Sequence, residues 1–146
     1  MRVKAFLFAL CSILLLGACG TPKTGGTVYN IMDYGAKGDG VTDDAAAIQT
    51  AIDQCSKSGG GTVLVRAGRT FMCSPFHLAS FVELHLEPNS CLLANPDEAA
   101  YTLSAFRDNR GEGMMWIYGQ DLKEVSITGT GTIDGNGVSF MGKELE

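Results

Sequence analysis

The spacing of apolar positions changes at Gly59-Gly60-Gly61. Ahead of these glycines, Ala45, Ile48, Ile52 and Cys55 recur at helical intervals and predict a helix over 44–57 with one apolar stripe. Thr42 or Asp43 can cap its free N–H groups, and the carboxylates of Asp43 and Asp44 suit the positive end of the helix dipole. Earlier still, residues 28–34 alternate as a strand, and Gly35, Gly38 and Gly40 break it. After the three glycines only short β-type runs follow: 62–66, 70–73, 81–87, 91–94, 115–118, 124–128 and 132–134. Gly, Pro, Asn or Ser bounds each run or stands close to it.

No helix-length segment separates these runs, apart from a stretch at 97–113 that reads as an insertion with room for a short helix. A doubly wound βα fold therefore fits poorly. Sandwich, barrel and solenoid remain, and one helix followed by many short strands suits a capped solenoid. The first coil of a solenoid exposes an apolar end, and a helix with one apolar face is the kind of element that covers it. Nineteen glycines against four prolines agree with many tight turns.

The 146 residues amount to about one domain. The formal charge of −5 disfavours a phosphate backbone as partner, so nucleic acid is not expected. No apolar run reaches the roughly 18 residues of a membrane span. The N-terminus has the form of an export signal: Arg2 and Lys4, an apolar run over 5–16, then Leu16-Gly17-Ala18-Cys19. The last four residues resemble a bacterial lipobox, which implies cleavage before Cys19 and acylation of its thiol. Residues 1–18 are then the signal, 19–27 a polar tether and 28–146 the folded domain, held to a membrane by its lipid. Cys55, Cys73 and Cys91 are odd in number and lack metal-like spacing; they read as buried free thiols.

Three blocks carry a family likeness. Residues 30–44 read NIMDYGAKGDGVTDD and lead into the helix and its glycines; 82–93 read VELHLEPNSCLL; 125–137 read VSITGTGTIDGNG. Together they resemble the N-terminal region of polygalacturonases, glycoside hydrolase family 28, within the pectate lyase superfamily. The likeness implies an all-β right-handed parallel β-helix with an N-terminal capping α-helix. It also implies inverting hydrolysis of galacturonosyl bonds in pectic polysaccharide, with one carboxylic acid protonating the leaving oxygen and another carboxylate activating water. Family catalysis rests on Asn-Thr-Asp, Asp-Asp, Gly-His-Gly and Arg-Ile-Lys motifs. Only an Asp-Asp occurs, Asp43-Asp44 at the helix start, which is the wrong context. No catalytic residue carries over, and neither cofactor nor metal is expected. The chain reads as the N-terminal piece of a longer enzyme, inactive by itself. A polysaccharide lyase or a non-catalytic β-helix adhesin on the same solenoid are the rival readings.

Several side chains invite chemistry. Glu83, His85 and Glu87 share one strand face; carboxylate–imidazole–carboxylate could hold a cation, but a solvated outer face is the simpler reading. Asp134 sits in Asp-Gly-Asn-Gly, a turn signal. Asp39, Asp43 and Asp44 miss the spacing of a calcium loop and are read as helix caps. Arg107 and Arg110 in the insertion could pair with galacturonate carboxylates, and Trp116 and Tyr118 could stack on sugars. The bland alternatives are solvated arginines and core aromatics.

Overall fold

Strands that follow one another in the sequence do not pair as hairpins; each pairs in parallel with the strand one coil further on. In the computed structural model, which describes residues 26–104 and 114–140, the first coil holds β1 (Val28–Asn30), β2 (Asp39–Asp43) and α1 (Ala45–Lys57). The second holds β3 (Gly61–Val65), β4 (Thr70–Cys73) and β5 (Phe76–His77). The third holds β6 (Val82–Leu86), β7 (Cys91–Ala94) and β8 (Ile117–Tyr118). The fourth holds β9 (Ser126–Gly129), β10 (Thr132–Asp134) and a short helix, α2 (Gly137–Phe140). The first sheet runs β1-β3-β6-β9, the second β2-β4-β7-β10, and β5-β8 form the third. This is a parallel β-helix.

The registers explain why the repeat is hard to see. Gly61 faces Val82 and Thr70 faces Cys91, each pair 21 residues apart. The next step along the first sheet, Glu83 to Ser126, spans 43 because the insertion intervenes. The insertion begins with a 3-10 turn, Glu98–Ala100, capped by the carboxylate of Asp97, and its flanks meet at a Ser104–Met114 bridge.

Alternate residues point inward and stack in rows. Val63 and Leu84 form one row in the first sheet, Phe71 and Leu92 another in the second, all with no exposed surface. Ile48, Ala51, Ile52 and Cys55 of α1 are equally buried against this core. Burying each large aliphatic stabilises the fold by roughly 1.5–3 kcal/mol. The helix stands where the first coil would otherwise place a strand of the third sheet. Gln49 uses its amide as a strand would: its Oε1 accepts from His77 N at 2.9 Å and its Nε2 donates to His77 O at 3.2 Å. The free edge of β5 is thus closed by a side chain.

The corner before the first sheet is a stacked left-handed position. Gly60, Phe81 and Glu124, equivalent by register, have φ of 100°, 67° and 52°. The corner after the first sheet tightens in the last coil. Gly129 has φ 97°, and a Cβ there would stand inside the Leu86 carbonyl. The corner after the second sheet carries a polar ladder. Ser74 Oγ donates to Asp43 Oδ2, and Asn95 Nδ2 donates to Ser74 Oγ at 3.0 Å.

Three local expectations change. The strand begun at Val28 ends at Asn30, because the Asn30 side chain accepts from Met32 N at 3.0 Å and starts a 3-10 turn over Ile31–Tyr34. Asp39–Asp43, read as a glycine break leading into the helix cap, is strand β2. Of the three aspartates read as caps, only Asp43 reaches the helix, at Ala45 N. Asp44 is buried and receives Lys37 N and Gly38 N at 2.7 and 2.9 Å; Asp39 closes its own turn onto Val41 and Thr42. Cys55, Cys73 and Cys91 are free thiols, the first two buried and Cys91 half-buried.

Candidate functional site: the outer face of the first sheet

Outward positions of the first sheet form two polar-rich rows, Val28-Thr62-Glu83-Ser126 and Asn30-Leu64-His85-Thr128. Period-two alternation dictates this, since their neighbours Val63, Leu84 and Leu86 fill the core. Thr62 Oγ1 donates to Glu83 Oε2 at 2.9 Å. Thr128 Oγ1 donates to Glu83 Oε1 at 2.6 Å and lies 2.7 Å from His85 Nδ1. The hydroxyls of Thr128 and Thr62 hold the Glu83 carboxyl below its ordinary range. Glu83 and His85, two positions apart on β6, are therefore linked through Thr128 of β9.

Glu87 does not join them. Its Oε2 accepts from Ala67 N at 2.8 Å and lies 3.7 Å from Arg66 Nε, which turns it to the corner. The three residues on one face do not converge, and no group of three metal-ligating side chains occurs among the described residues. Thr128 is the partner that local reading missed; it lies 43 positions from His85, and only the coil register brings it there.

A second polar cluster lies where α1 meets the third sheet. Gln49 Nε2 is 2.9 Å from Asp53 Oδ1 and 3.1 Å from His77 Nε2. The His77 and Tyr118 rings meet at 5.9 Å and 43°, beside an open depression that Leu78, Leu103, Met115 and Leu122 also line. Trp116 instead serves the core: it packs against the apolar cluster and its Nε1 donates to Cys73 O at 2.9 Å. Burial pushes the Cys73 thiol up to about 12, so it stays protonated. Asp134 accepts from Asn136 N at 2.8 Å, the turn that its sequence signals. Arg107, Arg110 and Cys19 lie outside the described residues.

Residues 28–135 match the family described as rhamnogalacturonase A/epimerase, pectate lyase-like. The chain belongs to this family. The mannuronan C5-epimerase AlgE3 of Azotobacter vinelandii is 36% identical over 118 residues, covering 80% of this chain and 6% of that protein. A polygalacturonase of Chamaecyparis obtusa is 29% identical over 113 residues, covering 76% and 20%. Among solved structures, the family 28 exopolygalacturonase of Yersinia enterocolitica superposes with a TM-score of 0.65 at 29% identity, covering 76% of this chain and 21% of that one. The chain spans about a fifth or less of the length of these relatives. The stack is thus the right-handed parallel β-helix of the polygalacturonase-like members of the pectate lyase superfamily.

Proposed function

We propose that this chain is the N-terminal segment of a lipid-anchored, polygalacturonase-like glycoside hydrolase acting on pectic polysaccharide. The observation that carries this reading is the superposition of 76% of this chain on an exopolygalacturonase, together with the family match over 28–135. In this reading the segment starts the solenoid. α1 closes one end of the core. The carboxylate pair of an inverting hydrolase, roughly 6.5–9.5 Å apart, stands on coils beyond Glu146. The signal at 1–18 exports the protein, and acyl chains on Cys19 tether it to a bacterial membrane, with 19–27 as spacer.

The similarity to AlgE3 favours a second reading, a uronate epimerase or lyase on the same coils. One experiment separates them. The reading frame is followed past codon 146, and the longer protein is assayed on polygalacturonate and on a mannuronate polymer. New reducing ends without ultraviolet-absorbing unsaturated products support the hydrolase. Unsaturated products indicate a lyase, and inverted C5 configuration in a mannuronate polymer an epimerase. For the anchor, Cys19→Ala is expected to move the protein from the membrane to the soluble fraction; unchanged membrane retention would refute lipidation.

A further inference from the structure

The depression on the third sheet joins apolar side chains to polar groups that nothing in the protein uses. Leu78, Met115 and Leu122 line it, and so do the rings of His77 on β5 and Tyr118 on β8, tilted at 43° to each other. Gln49 shows which nitrogen of His77 is free. The backbone of His77 fixes the Gln49 amide: its Oε1 accepts from His77 N, so Nε2 is the atom 3.1 Å from the ring's Nε2. An amide nitrogen only donates, so His77 Nε2 is bare, and the neutral ring carries its proton on Nδ1. That N–H has no hydrogen-bond partner among the described residues. The Tyr118 hydroxyl and the exposed Gln120 side-chain amide have none there either.

Apolar and aromatic lining with a few unpaired polar groups is the chemistry that takes a sugar ring, whose C–H face is apolar and whose rim is hydroxyl. Charge narrows the class. None of the described lining residues is a lysine or arginine, and the Asp53 carboxylate lies 3.8 Å from His77 Nε2. A free uronate would lose hydration there without meeting a cation. We propose that this depression binds an uncharged sugar residue, and in pectic polysaccharide a methyl-esterified galacturonate rather than a free one. Esterification removes the charge and offers a methyl group to Leu78, Met115 and Leu122. The ester carbonyl accepts from His77 Nδ1–H, and the ring hydroxyls meet Tyr118 and Gln120. The identity of the polymer rests on the pectic reading; the preference for an uncharged ring rests on the lining alone.

The 146-residue chain, labelled with ¹⁵N, tests it. Trigalacturonate, its trimethyl ester and the trimethyl ester of trimannuronate are titrated separately. The galacturonate ester is expected to shift the amides of His77 and Tyr118 with a Kd on the order of 1 mM, and the free acid to bind about tenfold more weakly. Tyr118→Phe keeps the ring and loses the hydroxyl; it is expected to weaken ester binding about three- to tenfold, the worth of one hydrogen bond. Gln120→Lys, at an exposed position, is expected to narrow the preference for the ester by supplying a cation. Free acid bound as tightly as the ester would overturn the proposal, as would shifts that avoid β5 and β8, or variants that leave both affinities unchanged. If neither ester binds, the site is refuted, while cleavage of polygalacturonate by the longer protein would still uphold the hydrolase reading. Binding of the mannuronate ester alone keeps the uncharged-sugar site and defeats the pectic polymer.

Discussion

The two ends of the stack bury the same kind of inward row and treat it differently. At the first coil, α1 lays Ile48, Ala51, Ile52 and Cys55 over the interior, and none has exposed surface. At the fourth coil, the inward residues Ile127 and Ile133 are 47% and 42% exposed. Their row partners one coil back, Leu84 and Leu92, are fully buried. An inward position is therefore not apolar because of its own coil alone; its burial is supplied by the coil that stacks above it. Stability in such a molecule should be graded along the axis.

The largest expected effect breaks the covered end. Ile52→Ala opens a cavity under the helix that covers the core, and should cost about 2–5 kcal/mol. Ile127→Ala removes a half-exposed side chain and should cost about 1 kcal/mol or less. Urea unfolding of both variants measures the contrast, and equal losses would refute the grading.

A glycine pair sharpens the same comparison at the level of the backbone. Gly129 and Gly59 have similar φ, 97° and 94°. A Cβ at Gly59 meets nothing within 4 Å, whereas one at Gly129 meets the backbone of Leu86. Gly59→Ala should cost about 1–2 kcal/mol for left-handed strain alone. Gly129→Ala should cost clearly more, because the fourth coil must also lift off the third. Matching unfolding midpoints for the two variants would show that the last corner is not seated as closely as described.

Much of this architecture was legible in the sequence. The helix follows from a 3.6-residue stripe, and the runs at 70–73, 91–94 and 132–134 coincide with β4, β7 and β10. The 21-residue repeat was not, because it occurs only once: α1 stretches the interval before it to 34 residues, Val28 to Thr62, and an insertion doubles the one after it. β2 was hidden because Gly38 and Gly40 signal a break, and its pairing comes from Thr70 and Met72 some thirty residues on. The site divides in the same way. Alternation placed Glu83 and His85 on one face, but nothing local joins them to Thr62 and Thr128 or sends Glu87 to Ala67. Contacts made along the solenoid axis depend on register, and register is a property of the stack.

A smaller effect comes from the polar ladder beside α1. Ser74 links Asp43 to Asn95, so it ties the first coil to the second and third. Ser74→Ala should cost about 1 kcal/mol, since Asp43 keeps the amides of Ala45 and Ser74. Its signature is in hydrogen exchange, with faster exchange at the start of α1 and unchanged exchange in β9. Uniform acceleration would mean that the ladder does not act locally.

The smallest effect reverses the comparison. The amides of Thr42 and Val41 and the Thr42 hydroxyl hold Asp39 down to about 2 from its ordinary 3.8. Burial opposes the same direction in Asp43, but the Ser74 hydroxyl and amide, the Ala45 amide and Asn95 outweigh it. A carboxylate whose pKa falls on folding contributes stability above its unfolded pKa and loses it as pH drops through the folded one. For Asp39 that window runs from about 3.8 down to about 2. Both aspartates lie on β2, against the start of α1, so acid should loosen the end that is best protected at neutral pH. Asp39 is exposed and its share is screened, so the change should be small but directional. Between pH 4 and 2, about the span of these pKa values, exchange at β2 and the start of α1 should rise faster than in β6. Asp39→Asn should flatten part of that rise. An acid response spread evenly over the coils, or one untouched by Asp39→Asn, would show that these turns do not set the acid stability of the covered end.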